Sequence, residues 1–225
     1  MKLILFDIDG TLLISRGIGR EAKRRAMLET FGEVGDLNQH VFGGKTDWQI
    51  LADLLAPSGK TSADIGREMA AYEQVMARHM REIKDNYRAD AIPHAMELVM
   101  NLRARADAIL GLVTGNTSMT AAIKLEMAGY QREWFAVGAF GNEAAEREKL
   151  TRLALERAQT HTARTFDSGD VIVIGDTEAD IDAARAIGAV AVAVCTGYTD
   201  REQLRDREPD FLLDDLSSFP VSVMV

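Results

Sequence analysis

Short apolar segments recur along this chain, and most are followed by a stretch with helical periodicity. Segments of this length are too short for helices and predict buried strands. They lie at residues 3–6, 108–113, 135–140, 171–174, 189–194 and 211–213. The helical patterns between them cover roughly 94–105, 117–128, 146–160, 178–187 and 200–206. This alternation predicts an α/β fold with a doubly wound, mainly parallel sheet that is covered by helices on both faces.

Residues 15–87 interrupt this alternation. They contain no convincing strand pattern and instead predict helices over roughly 18–31, 46–56 and 62–86. Thr46 fits the capping box that opens the second of these helices. We therefore predict a small α-helical cap domain at 15–87, inserted after the first strand, and an α/β core formed by 1–14 and 88–225.

Composition narrows the class of protein. The chain has 225 residues, 47% of them hydrophobic, which is enough for a substantial core. Its net charge of -9 disfavours nucleic acid and anionic membranes as partners. The single cysteine, Cys195, excludes an internal disulfide and fits a reducing compartment. No stretch approaches the roughly 20 apolar residues of a membrane span. These features favour a cytoplasmic protein, and they leave open whether it is a monomer or a homodimer.

Three polar motifs follow predicted strands directly. Asp7 and Asp9 come after the first strand, Thr114–Asn116 after the second and Asp176 after the fourth. Ligands of doubly wound sheets bind beyond the carboxyl ends of the strands, so these motifs should meet at one edge. Two neighbouring carboxylates at such a place require a compensating charge. A divalent metal with oxygen ligands is the natural candidate.

These motifs resemble those of the haloacid dehalogenase-like (HAD) hydrolases, and within them the phosphoglycolate phosphatase-like branch. The first family motif matches Asp7–Leu12, the second matches Thr114, and the fourth matches Gly175–Asp180. The helical segment after the first motif is similar to the family's cap, and residues 209–216 are similar to its closing segment. The resemblance therefore covers essentially the whole chain and implies a Rossmann-like core.

The third family motif departs from its commonest form, a lysine before a proline. The corresponding window, residues 141–150, contains no proline but has two basic residues, Arg147 and Lys149. Residues two apart on a helix do not share a face, so only one of them can reach the site. Arg147 is slightly favoured because Lys149 lies deeper in the helical pattern. Either residue could instead be a solvated helix charge.

The resemblance implies a reaction through an aspartyl-phosphate. Asp7 would be the nucleophile that attacks phosphorus. Asp9 would protonate the leaving alcohol and then accept a proton from the hydrolytic water. Mg²⁺ would be held by the Asp7 carboxylate, the Asp9 backbone carbonyl and Asp176. Asp180 would act from the second layer, orienting water or the basic residue.

The resemblance also assigns the groups that would hold the phosphoryl oxygens. The Thr114 hydroxyl and the backbone N–H groups of Gly115 and Asn116 would bind them, and Arg147 or Lys149 would neutralise charge in the transition state. In this family the cap reads the substrate, and Arg20, Lys45 and Thr46 are candidate contacts. A competing interpretation makes Thr46 only the start of a helix.

The leading hypothesis is a Mg²⁺-dependent phosphatase acting on a small phosphorylated metabolite, with phosphoglycolate as a candidate. Asp9 favours phosphoryl transfer, since dehalogenase members lack the second aspartate. One alternative is a sugar-phosphate mutase of the β-phosphoglucomutase type. A second is phosphonate cleavage, which needs a cap lysine such as Lys23 or Lys45. A third is a non-catalytic module that binds a phosphorylated ligand.

Overall fold

A computed structural model describes residues 1–224, and its centre is a six-stranded sheet. Two further strands form a separate ribbon. In chain order the strands are β1 (Lys2–Phe6), β2 (Leu13–Ile14), β3 (Asp90–Ala91), β4 (Ala108–Thr114), β5 (Val137–Phe140), β6 (Val171–Gly175), β7 (Val190–Val194) and β8 (Phe211–Leu213). The main sheet has the order β5-β4-β1-β6-β7-β8, and its neighbours all pair in parallel. The predicted parallel α/β core is confirmed.

Helices cover both faces of this sheet. They are α4 (Ala95–Arg103), α5 (Ser118–Met127), α6 (Arg147–Thr162), α7 (Glu178–Arg185) and α8 (Arg201–Asp206). Alternate residues of β1 enter different cores: Ile4 and Phe6 pack in one cluster, Leu3 and Leu5 in the other. This is the two-residue period of a strand with both faces buried. The fully apolar strand segments of the sequence are explained by this arrangement.

Along the chain, three helices lie between β1 and the later strands of the main sheet. They are α1 (Ile18–Phe31), α2 (Asp47–Leu55) and α3 (Ser62–Ile83), and they share a hydrophobic cluster that includes Met69, Tyr72, Met76 and Met80. The third helix ends at Ile83 rather than at 86, because the chain tightens into a 3₁₀ turn at Lys84–Asn86. The division into two domains stays a prediction. Among residues 1–224, no helix is long and apolar enough to cross a membrane.

A short antiparallel ribbon closes the helical segment at its base. Leu13 of β2 pairs with Ala91 of β3, and Ile14 pairs with Asp90. The sequence analysis missed both strands, since two residues are too few to show an alternating pattern. The ribbon therefore brings together the two points where the chain enters and leaves the helical segment.

The start of α2 is bonded directly to the core. The backbone N–H of Asp47 donates to the Gly115 carbonyl at 2.7 Å, and that of Trp48 donates to the Gly141 carbonyl at 2.9 Å. A Cβ atom at Gly115 would lie 2.1 Å from the Lys45 carbonyl oxygen, so only glycine permits this approach. These bonds place the start of α2 over the carboxyl ends of the strands.

Candidate active site

The three motifs meet because their strands are neighbours. Asp7 follows β1, Thr114 ends β4 and Asp176 follows β6, and the sheet order places β1 between the other two. Their side chains line a cavity of about 790 Å³ between the sheet edge and the helical segment. The position of this cavity agrees with the general location of ligand sites in such sheets.

One half of the site gathers three buried carboxylates around one guanidinium. One oxygen of each of Asp7, Asp176 and Asp180 lies within 4.8 Å of the others. Arg147 Nη2 lies 2.7 Å from Asp7 Oδ1. Its Nε lies 2.9 Å from Asp180 Oδ1 but lacks hydrogen-bond alignment, so that contact is an ion pair. The guanidinium therefore divides its charge between two carboxylates.

Burial and mutual repulsion raise the proton affinity of the carboxylates in this half of the site. Burial raises the pKa of Asp7 to about 6; the Arg147 charge opposes the shift, and Asp180 adds to it. The pKa of Asp176 is raised well above its ordinary value by burial, then by Asp7 and Asp180. A single guanidinium does not compensate three carboxylates in a low-dielectric pocket. A further cation here would favour their ionised forms.

The donor set fits a hard divalent cation such as Mg²⁺, which prefers carboxylate and carbonyl oxygens. Asp180 Oδ2 accepts bonds from the backbone N–H and hydroxyl of Thr177 at 3.1 and 2.6 Å, and its other oxygen faces Arg147. Both of its oxygens are thus engaged, which suits an orienting role. Asp7 and Asp176 are the carboxylates that remain for a metal.

Backbone geometry makes room for Asp176. A Cβ atom at Gly10 would lie 2.3 Å from its carboxylate, and one at Gly197 only 1.6 Å. Gly10 also has a φ of 89°, a left-handed conformation that glycine adopts without strain. Gly10 is therefore needed for two reasons: its backbone turns with a positive φ, and it leaves space for the Asp176 carboxylate.

The other half of the site surrounds Asp9 with donors. Ser15 Oγ donates to Asp9 Oδ1 at 2.7 Å, while Asn116 Nδ2 and Lys124 Nζ donate to Oδ2 at 2.8 and 2.6 Å. Burial alone would raise the pKa of Asp9, but the Lys124 charge and these hydrogen bonds outweigh it and lower the pKa. Asp9 is therefore ionised at neutral pH.

Asn116 connects this group to the second motif. Its Nδ2 also donates to Thr114 Oγ1 at 2.8 Å, and its Oδ1 accepts from Lys124 Nζ at 2.6 Å. Thr114 is fully buried and Asn116 nearly so. The predicted phosphate-binding residues Thr114, Gly115 and Asn116 all line the cavity.

Lys124 is the residue that sequence reasoning missed. It lies on α5, and its side chain is only 6% exposed. A lysine is almost never buried unless it is paired. Its place within the mostly apolar stretch Ala121–Leu125 was the available signal.

Arg147 and Lys149 occupy different environments, and the structure contradicts the assignment of Lys149 to the site. Arg147 is the first residue of α6 and is buried among the carboxylates. Lys149 has a side chain that is 65% exposed and pairs with Glu146 at 2.9 Å. Residues two apart point to different sides of a helix, so burying the first exposes the other.

The three predicted cap contacts also occupy different environments, because two of them line the cavity and one does not. Arg20 lines the cavity, with its guanidinium 4.6 Å from the centre of the Phe42 ring. Lys45 also lines it and pairs with Asp53 at 2.7 Å.

Thr46 does not line the cavity, and the structure contradicts its assignment as a substrate contact. Its hydroxyl accepts from the Gln49 N–H at the start of α2 and donates to the Ala145 carbonyl at 2.7 Å. The hydroxyl is thus occupied in capping the helix, as the competing interpretation held.

A sequence model of the haloacid dehalogenase-like hydrolase family matches residues 1–188. The chain belongs to this family. It is therefore a hydrolase, as the motifs indicated. A relative from Synechococcus elongatus named phosphoglycolate phosphatase is 27% identical over 217 residues, covering 95% of this chain and 93% of its own. This similarity agrees with the branch that the sequence resembles.

Solved structures share the fold. A protein from Haemophilus somnus, assigned as a phosphoglycolate phosphatase, has a TM-score of 0.68 at 19% identity, covering 100% of this chain and 98% of that chain. A protein from Bacteroides vulgatus, assigned as a β-phosphoglucomutase, has a TM-score of 0.67 at 17% identity, covering 97% and 86%. At such identities the similarity extends to the fold alone.

Proposed function

We propose that this HAD hydrolase is a Mg²⁺-dependent phosphatase that cleaves a small phosphate monoester through an aspartyl-phosphate. The observation that carries the proposal is the separation of Asp7 from Asp9. Asp7 lies with Asp176 and Asp180 beside Arg147, whereas Asp9 is held apart by Lys124 and Asn116. A nucleophile and a proton-transfer group need such different surroundings.

In the first step an Asp7 carboxylate oxygen attacks phosphorus, and the bond from phosphorus to the ester oxygen breaks. Asp9 delivers a proton to that departing oxygen. Because Asp9 is ionised in the free protein, the proton arrives with the substrate, whose phosphate has a second pKa of about 6. In the second step Asp9 accepts a proton from the water that attacks the aspartyl-phosphate, which regenerates Asp7.

Other residues of this chain bind and compensate charge. The Thr114 hydroxyl and the N–H groups of Gly115 and Asn116 would hold the phosphoryl oxygens, and Arg147 would balance the charge that develops on them. Mg²⁺ would be held by Asp7, Asp176 and the Asp9 carbonyl, with Asp180 behind them. When bound it would neutralise phosphoryl charge next to the carboxylates.

The relatives and the cap support a candidate substrate. Relatives named phosphoglycolate phosphatase make phosphoglycolate the first candidate. Arg20 and Lys45 line the cavity on the cap side and could receive a second anionic group. We further propose that the protein acts in the cytoplasm on such a metabolite, without nucleic acid or membrane, as a monomer or homodimer.

A sugar-phosphate mutase is the second candidate, because a cavity of about 790 Å³ has room for more than a two-carbon acid. One assay separates the two. The purified protein is incubated with phosphoglycolate and several sugar phosphates, with Mg²⁺ or with excess chelator. Phosphate release that requires Mg²⁺ supports the phosphatase. Isomerised sugar phosphate without net release would indicate the mutase. Full turnover in chelator would contradict the metal dependence, and no turnover of any ester would favour a binding module.

A further inference from the structure

We propose that Lys124 is a positioning residue that holds the Asp9 carboxylate on the leaving-group side of the site, and that the cap helix α1 seats it there through Gly19. The inference rests on the proposed phosphatase reaction, in which Asp9 transfers the proton.

The Lys124 ammonium group has two polar side-chain partners among residues 1–224, and both belong to the site. Its Nζ lies 2.6 Å from Asp9 Oδ2 and 2.6 Å from Asn116 Oδ1. Its side chain is 6% exposed, whereas that of Asp9 is 30% exposed towards the cavity. The lysine is thus the covered partner, and the carboxylate is the one that a ligand can reach.

This contact selects one orientation for Asp9. Its carboxylate is absent from the group formed by Asp7, Asp176 and Asp180, although Asp9 is only two residues from Asp7. Ser15 and Asn116 are neutral donors, so Lys124 is the only cation paired with Asp9 in the described chain. A charge-assisted bond is stronger than a neutral one and fixes the rotamer more firmly. Without this bond, Asp9 would lose the strongest interaction that holds its side chain on this side.

The cap reaches this pair through a glycine. A Cβ atom at Gly19 would lie 3.2 Å from Lys124 Nζ and 3.4 Å from its Cε. The missing side chain lets α1 approach the ammonium group and exclude water from it. A dry ammonium has fewer competing partners, which strengthens its bond to Asp9. The position of the cap is therefore coupled to the orientation of Asp9.

The main test compares Lys124→Met with the native protein on two kinds of ester. An alkyl phosphate needs its leaving oxygen protonated, whereas p-nitrophenyl phosphate needs this far less. Loss of a positioned proton donor costs about 10²–10⁴-fold in rate. The comparison uses kcat/KM, which reports the first step, because the second step and its use of Asp9 are common to both esters. We expect Lys124→Met to lose at least about 10²-fold more in kcat/KM on the alkyl ester than on the aryl ester. Lys84→Met, which removes an exposed lysine at the end of the cap helices, should change neither rate.

A crystal structure of Lys124→Met supplies a readout that does not depend on turnover. We expect the Asp9 carboxylate to have left its position beside Asn116. An Asp9 side chain that stays in place would overturn the proposal.

A second variant, Gly19→Ala, tests the role of the cap helix. Alanine is the better helix former, so the melting temperature should stay the same or rise. The new methyl group would shift the Lys124 ammonium by a few tenths of an ångström, and we expect a several-fold loss in kcat/KM on the alkyl ester with little change on the aryl ester. Unchanged rates on both esters would overturn the link to the cap.

The kinetic outcomes also separate this inference from the proposed function. If the native protein hydrolyses both esters and Lys124→Met lowers kcat/KM equally on both, Lys124 contributes general charge, and only the positioning role falls. If the native protein hydrolyses neither ester with Mg²⁺, the phosphatase proposal fails and this inference fails with it.

Discussion

Asp7 and Asp9 are two residues apart, yet they lie in opposite surroundings. Asp7 is buried with two other carboxylates, and its pKa is raised to about 6. Asp9 faces an ammonium group and two neutral donors, and its pKa is lowered. Each aspartate has a cation from a different helix, since Arg147 begins α6 and Lys124 lies in α5. The contrast shows that the opposite pKa shifts of the two aspartates follow from their tertiary partners rather than from the motif itself.

The largest effect should come from Asp7→Asn, which removes the proposed nucleophile while keeping the size of the side chain. We expect phosphate release to fall by about 10⁴-fold or more, as for other nucleophile deletions. The measurement is kcat at saturating Mg²⁺ and ester. Asp214→Asn changes the same group at a side chain that is 89% exposed and should keep native activity. An Asp7→Asn protein whose kcat stayed within tenfold of the native value would show that Asp7 is not the nucleophile.

Asp9→Asn should have a smaller effect on turnover and almost none on metal binding. An amide cannot exchange the proton, which predicts a loss of about 10²–10⁴-fold in kcat on alkyl esters. The Asp9 backbone carbonyl is unchanged, so the Mg²⁺ affinity measured by calorimetry should stay close to native. A parallel collapse of affinity and rate would make the carboxylate itself a metal ligand, and the two aspartates would no longer differ in role.

Arg147→Met tests the Asp7 side of the comparison through stability. Removing one partner of a buried ion pair costs about 3–5 kcal/mol, because the carboxylates are left uncompensated. We expect urea unfolding of the metal-free protein to show this loss and Mg²⁺ to restore part of it. Lys149→Met is the matched control and should stay within about 0.5 kcal/mol of native, as for most surface changes. Equal losses in both variants would contradict the placement of Arg147.

Local patterns predicted most of this fold and the ends of the strands that carry the site. The apolar segments and helix periods depend on neighbours along the chain, so α1 was predicted at 18–31 and observed at Ile18–Phe31. The strand-end motifs followed from the same patterns together with the general site of ligand binding. Two-residue strands carry no such pattern, and β2 and β3 were missed for that reason.

The site residues that the sequence did not resolve depend on the rotation of a helix about its axis and on contacts between distant parts of the chain. The two candidates Arg147 and Lys149 could be separated only by the rotation of α6 about its axis, which packing against the sheet determines. Lys124 pairs with Asp9 across 115 positions of sequence, and no local pattern reports such a contact. Thr46 had two possible roles, and the carbonyl of Ala145 that accepts from its hydroxyl lies 99 positions away in the sequence.

The smallest effect, and the sharpest test of the contrast, is the pH dependence of metal-free stability. The folded pKa of Asp7, about 6, exceeds its ordinary value of 3.8, so the folded state binds this proton more tightly than the unfolded state does. Its contribution is fully present below pH 3.8 and is lost as pH rises through about 6. Asp176 acts in the same direction. The lowered pKa of Asp9 has the opposite effect, since its contribution is lost only as pH falls below 3.8.

The melting temperature should therefore be followed between about pH 4 and 7 in the native protein and in Asp7→Asn, with and without Mg²⁺. Exposed carboxylates are common to both proteins, so the difference between the two curves reports Asp7 together with its repulsion of Asp176. Without metal, the native protein should lose stability relative to Asp7→Asn as pH rises. Mg²⁺ binds ionised carboxylates, so its stabilising effect on the native protein should grow over the same range. Parallel curves for the two proteins would mean that Asp7 titrates like an exposed carboxylate, and its contrast with Asp9 would disappear.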